Sequence, residues 1–131
     1  MEVANQSNRR IPVKISSQPY EITIGRGLLK NIGVELLKAG IKKGVKILVV
    51  TNNDVAIPYG DLLFKSLREN GFDPHLLVIQ AGEDQKTPES ISLIHDAAYS
   101  VKLERGSLMI AFGGGVIGDM TGFAASTWLR G

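Results

Sequence analysis

The chain has 131 residues, which suits one domain with a sizeable core. Its formal net charge is only +2 and its 15 basic residues are dispersed, which argues against a nucleic-acid partner; Arg9-Arg10 and Lys42-Lys43 read as solvated surface. Cysteine is absent, which excludes disulfides and thiolate chemistry. No apolar run approaches the ~20 residues of a membrane span, and the start lacks a signal-peptide core, so the expectation is a cytoplasmic protein with no membrane partner.

Residues 1–10 are polar and read as a disordered tail, leaving 11–131 as one folded unit. Ile11–Ile15 and Tyr20–Ile24 alternate apolar with polar residues and predict two half-buried strands, a hairpin closed across Ser16–Pro19. Gly25-Arg26-Gly27 predicts a turn. Leu28, Leu29, Ile32, Leu36 and Leu37 fall at helical spacing, with Gly40 placed to end that helix. Val45–Val50 is an apolar run broken only by Lys46, as expected of a parallel strand covered on both faces. Asp61–Asn70 predicts a helix ended by Gly71, and His75–Ile79 another strand. Thr87-Pro88-Glu89 is a strong helix start, with a capping hydroxyl, proline at the first position and an acid beside the positive dipole end. That helix should reach about Lys102, and Ser107–Phe112 supplies the next strand. Alternation of strands and helices at this spacing predicts an α/β, Rossmann-like fold. Its mostly parallel sheet is flanked by helices, and a β-hairpin precedes it.

The most informative stretch follows that last strand: Gly113-Gly114-Gly115-Val116-Ile117-Gly118-Asp119. A strand turning into a helix through glycines leaves the first helical N–H groups open, and the dipole favours an anion there. Gly113, Gly115 and Gly118 also satisfy G-x-G-x-x-G, the spacing associated with dinucleotide pyrophosphates. Gly115 is expected to need a positive φ as well as the absence of a side chain. A flexible turn without a ligand is the alternative. The helix beyond, starting near Val116, carries Gly118, Thr121, Gly122, Ala124, Ala125, Ser126 and Thr127, small residues that suggest close approach to the sheet or to a ligand.

Gly113 to Thr127, with Arg130-Gly131 behind it, resembles the glycine-rich block of the 3-dehydroquinate synthases, members of the sugar phosphate cyclases. Gly82-Glu83-Asp84-Gln85-Lys86 resembles the G-E-x-x-K loop of that family, Val50–Val55 its first parallel strand end, and Tyr20–Gly27 its opening turn. The similarity covers roughly residues 11–131. It implies NAD as cofactor, wrapped at the pyrophosphate by Gly114, Gly115, Val116, Ile117 and Gly118, with Asp119 alongside. It implies ribose or phosphate contacts from Gly82, Glu83 and Lys86, and a substrate phosphate or carboxylate contact from Arg130. The Rossmann acid ~20 residues after the glycines has no counterpart before Gly131. The adenosine contacts therefore fall to Asn52 and Asp54, where some family members carry aspartate at position 52; an Asn/Asp turn without a ligand stays open.

The resemblance further implies conversion of 3-deoxy-arabino-heptulosonate 7-phosphate to 3-dehydroquinate and phosphate in the shikimate pathway of aromatic amino acid biosynthesis. It implies a small-molecule substrate, a homodimer at full length, and a divalent metal, zinc or cobalt, held in a helical second domain that this sequence lacks. No catalytic or metal-ligating residue is assigned here; His75 and His95 read as structural, and the chain alone is expected to be inactive. Alternatives are another cyclase of valiolone, gadusol or inosose type, or a non-catalytic nucleotide-binding module.

Overall fold

The computed structural model describes residues 8–131. Of the expected tail, residues 1–7 lie outside the described residues, while Arg9 and Arg10 already belong to the first strand. β1 (Arg9–Val13) and β2 (Tyr20–Ile24) pair antiparallel as a separate two-stranded sheet. A 3-10 turn at Leu29–Asn31 leads into α1 (Ile32–Lys38). Then follow β3 (Lys46–Thr51), α2 (Asn53–Glu69), β4 (Asp73–Val78), α3 (Pro88–Ser100), β5 (Leu108–Phe112) and α4 (Gly115–Ser126).

β3, β4 and β5 form a parallel sheet in the order β4-β3-β5, so the first of the three to be made is central. That position explains the continuous apolar run: Ile47, Leu48, Val49 and Val50 are all 0% exposed. Alternation along β3 then divides the core between two faces. Ile47 and Val49 pack with Leu63, Leu67 and Phe72, with α1 residues Ile32 and Leu36 against them. Leu48 and Val50 pack with Ile94 and Ala98 of α3 and Ile117, Met120 and Ala124 of α4. Each such side chain contributes about 1.5–3 kcal/mol on burial, which makes β3 the spine of the fold.

The expected α/β architecture is present, with one element misjudged. α2 was expected over Asp61–Asn70 and instead begins at Asn53, with Pro58 inside it. Pro58 sits near the start, where its missing N–H deprives only the Asp54 carbonyl of a helical partner, so the proline is tolerated rather than terminating. Gly71 ends the helix in the left-handed conformation, at φ +85°. α1 and α2 touch closely: the Gly33 N–H donates to Ser66 Oγ at 3.0 Å, and a side chain at Gly33 would collide with the Ser66 carbonyl.

Candidate functional site

Because β5 lies beside β3, the carboxyl ends of these two strands are neighbours, tied by Thr51 Oγ1 donating to the Phe112 carbonyl at 2.6 Å. From there the chain departs to opposite faces, β3 into α2 and β5 into α4. Such a divergence opens the crevice in which α/β sheets receive ligands. Here it is a cleft of about 170 Å3 lined by Asn52, Ala81, Gly82, Gly114, Gly115, Val116 and Ile117. Residues from three separate predicted motifs thus meet in one place.

Asn52 occupies the N-cap position of α2 with extended backbone, yet its side chain makes no capping bond. It is 8% exposed, and its Oδ1 is buried with no partner among the described residues. A buried acceptor left unpaired costs roughly 1–3 kcal/mol, so a donor arriving in the cleft would satisfy a standing debt of the fold.

Across the cleft, Gly114 is the N-cap of α4 in extended conformation, and Gly118 N–H is the first to find an intrahelical partner, the Gly114 carbonyl. The N–H groups of Gly115, Val116 and Ile117 precede it in the first turn, where helical amides have no carbonyl of their own. A β-carbon added at Gly114, Gly115 or Gly118 would meet no heavy atom within 4 Å. The expectation of positive φ at Gly115 is overturned: none of Gly113–Gly118 is left-handed. Gly113 differs from its neighbours, since a side chain there would come within 2.9 Å of Ile117 Cγ1. Gly118 and Gly122 likewise have no neighbour within 4 Å of a β-carbon, so packing among the described residues does not account for the small residues at these two positions.

The loop after β4 completes the site. Gly82 has φ +119°, and a 3-10 turn at Glu83–Gln85 brings the chain back to Lys86. A side chain at Gly82 would meet only the end of the exposed Asp84 side chain, which can swing aside, so it is the conformation that favours glycine. Lys86 Nζ lies 2.8 Å from Asp119 Oδ2 and 3.8 Å from Glu83 Oε1. The hydrogen bond and charge of Asp119, with that of Glu83, raise the lysine pKa above its ordinary 10.5, so the ammonium persists well past neutrality. The pairing of Lys86 with Asp119, 33 residues apart, was invisible in sequence, where the two were read as separate contacts.

Two further hollows flank the cleft. One of about 490 Å3 is lined by Lys86, Thr87, Pro88, Ile91, Asp119, Met120 and Phe123, and the 58% exposed Phe123 ring is part of it. Sequence reading had assigned its apolar residues to no site. The other, about 290 Å3, holds Asp54 with Val78, Gln80 and Ala81. Asn52 and Asp54 therefore line different hollows that share only Ala81. Arg130 stands apart: it follows the far end of α4, about 18 Å along the axis at 1.5 Å per residue, with a left-handed φ of +66°. Neither histidine lines these hollows. His95 Nε2 lies 3.1 Å from the Ala124 carbonyl and 2.9 Å from Thr127 Oγ1, and His75 Nε2 is 3.2 Å from Asp73 Oδ1. Among the described residues, no three His, Cys, Asp or Glu converge as a metal site would need.

Residues 76–131 match the family described as 3-dehydroquinate synthase N-terminal. A 3-dehydroquinate synthase of Prochlorococcus marinus (strain MIT 9313) is 67% identical over 97% of this chain. The chain spans about a third of the length of that relative, 34%. Among solved structures, a 2-deoxy-scyllo-inosose synthase superposes with a TM-score of 0.80 at 18% identity, covering 94% of this chain and 34% of that one. A 2-epi-5-epi-valiolone synthase from Streptomyces hygroscopicus subsp. jinggangensis 5008, with NAD+ and Zn2+ bound, superposes with a TM-score of 0.72 at 28% identity, covering 90% and 32%.

Proposed function

This chain belongs to the 3-dehydroquinate synthase family, and on that premise we propose that it is the NAD-binding part of a 3-dehydroquinate synthase. The reaction is conversion of 3-deoxy-arabino-heptulosonate 7-phosphate to 3-dehydroquinate and phosphate. The observation that carries the reading is one cleft shared by the glycine-started first turn of α4 and Asn52, whose buried Oδ1 has no partner among the described residues. An acceptor and a row of backbone donors in one small crevice suit a sugar hydroxyl and a phosphate joined together. A cyclase of inosose or valiolone type is the second reading, favoured by the solved neighbours at 18% and 28% identity. The curated relative at 67% identity outweighs it.

NAD, when bound, supplies a hydride acceptor that becomes the hydride donor later in the same turnover, so no cofactor is consumed. Every other task falls to residues. The amides of Gly115, Val116 and Ile117 hold the pyrophosphate, helped by the α4 dipole. Asn52 accepts from a ribose hydroxyl, and Asp54 borders the outer hollow on the adenosine side. Glu83 accepts from a second ribose hydroxyl, while Asp119 positions the Lys86 ammonium toward ribose or phosphate oxygens. Oxidation beside a C–H bond acidifies it and permits β-elimination of phosphate, and Arg130 is assigned to the oxyanion of that substrate. The described residues offer no fit for the divalent metal, so no step is derived through it; the metal, and dimer formation, belong to the longer protein. No described helix is long and apolar enough to cross a membrane. Calorimetric titration of the chain with NAD, beside NADP and ADP, tests the reading. Saturable NAD binding abolished by Gly115→Val is expected, and NAD binding indifferent to that change overturns it. The chain alone should release no phosphate from the heptulosonate phosphate.

A further inference from the structure

At the opposite edge of the sheet, where β3 and β5 begin, the α1–β3 and α3–β5 connections enclose a second cleft, of about 510 Å3. Lys42 and Lys43 line it from one connection, Lys46 from the first position of β3, and Lys102 and Glu104 from the other connection. Sequence alone shows Lys42-Lys43 as an ordinary basic pair; folding adds two lysines from positions 46 and 102. Among the described residues none of the four forms an ion pair, and Asp73, the register partner of Lys46 on β4, lies beside His75 instead. Four ammonium groups against one lining carboxylate leave three positive charges in excess.

Two features describe the backbone and stems that carry these lysines. Lys102 carries a left-handed backbone at φ +58°, a conformation rare for any residue with a β-carbon. The Lys43 stem lies against Gly71, whose carbonyl accepts from Gly44 N–H at 2.8 Å; a β-carbon there would meet Lys43 Cγ at 3.2 Å. Like charges gathered without a counter-ion repel, and a multivalent anion relieves that repulsion in one step. Lysine ammonium groups also suit phosphate oxygens as compact point donors.

We propose that this lysine-lined cleft binds a diphosphate group. It is a site distinct from the glycine turn, separated from it by the length of β3, about 20 Å at 3.3 Å per residue. The test uses inorganic pyrophosphate titrated into the Gly115→Val chain at low ionic strength, so that the glycine turn contributes nothing. Saturable one-to-one binding is expected. Adding Lys43→Gln and Lys102→Gly should weaken it at least tenfold, and glycine at a left-handed position relieves strain, so the fold is not put at risk. Lys65→Gln on α2, a charge lost away from the cleft, should change it less than twofold. ADP in parallel identifies the carrier: tighter binding than pyrophosphate indicates a nucleotide, weaker binding the inorganic ion. Absence of binding, undiminished binding in the lysine variants, or equal weakening by Lys65→Gln overturns the proposal.

Discussion

The two ends of α4 are built on opposite plans. Its start is backbone: glycines 114, 115 and 118 have open space where side chains would stand, and the first amides face a cleft. Its end is side chains. His95 reaches the Ala124 carbonyl and Thr127, and Trp128 Nε1 donates to the Leu103 carbonyl at 3.2 Å. The indole and the His95 ring lie 5.9 Å apart. One end is anchored by what the protein supplies, and the other is left unfilled by it. A ligand site is made in the second way, because groups satisfied by the fold have nothing to offer a ligand.

The sharpest way to break this contrast is Gly115→Val. Binding of NAD, followed by calorimetry, should fall at least a hundredfold, about 3 kcal/mol, with the melting temperature little changed because no described residue comes within 4 Å of a β-carbon there. At the other end, Trp128→Ala should do the reverse. It should cost about 2–3 kcal/mol of stability by denaturant unfolding, while NAD affinity of the folded protein moves less than twofold. A result in which both variants lose both properties would dissolve the distinction.

Asn52→Leu sharpens the comparison at the site itself, because its two effects have opposite signs. Replacing the unpaired amide by an apolar group of similar size should stabilise the free chain by about 1 kcal/mol and weaken NAD by about tenfold. Glu83→Gln should weaken NAD somewhat less, with a loss of about 1 kcal/mol for one charge-assisted bond. Equal thermal melts of the Asn52→Leu and parent chains would show that Oδ1 is satisfied without a ligand.

The Lys86–Asp119 pair gives a smaller, pH-dependent effect. The lysine is raised in the folded state, so its contribution is complete below about 10.5 and disappears only as pH rises through the raised value. The stability difference between the parent and Lys86→Gln should therefore be flat from pH 7 to 10 and shrink above that; a difference that vanished by pH 8 would contradict the pairing. Least of all, Arg130→Ala should leave NAD affinity within twofold, since about 18 Å of helix separates it from the glycine turn. Under the proposed function, its effect should instead be read in the KM or kcat for the heptulosonate phosphate.

Much of this could be read before folding. The apolar run at 45–50, the Thr87-Pro88 cap and the glycine turn each follow from local chemistry, and Thr87 Oγ1 does accept from Ser90 N–H. The first half of α2 escaped because it holds Pro58 and Gly60, both poor helix formers, just ahead of the regular apolar spacing that starts at Asp61. The hairpin escaped in another respect. Its alternation predicts half-burial, yet Ile11 and Ile22, cross-strand partners on one face, remain 42% and 44% exposed. Alternation reports that a face is apolar, not whether anything in the chain covers it.

Sequence by itself determined which segments become strands and helices and that an anion-receptive turn follows β5, because period, caps and glycines act within a few residues. Only the tertiary structure decided which motifs share a site. Placing β5 beside β3 set Asn52 opposite Gly114, and the return of the loop after β4 put Lys86 on Asp119. The same packing set four lysines around the other edge of the sheet. Asn52 and Gly114 are 62 residues apart, Lys86 and Asp119 33, and Lys102 at least 56 from the other three lysines; what joins them is the pairing of β3 with β5 and the return of the chain after β4, long-range terms that no local pattern carries.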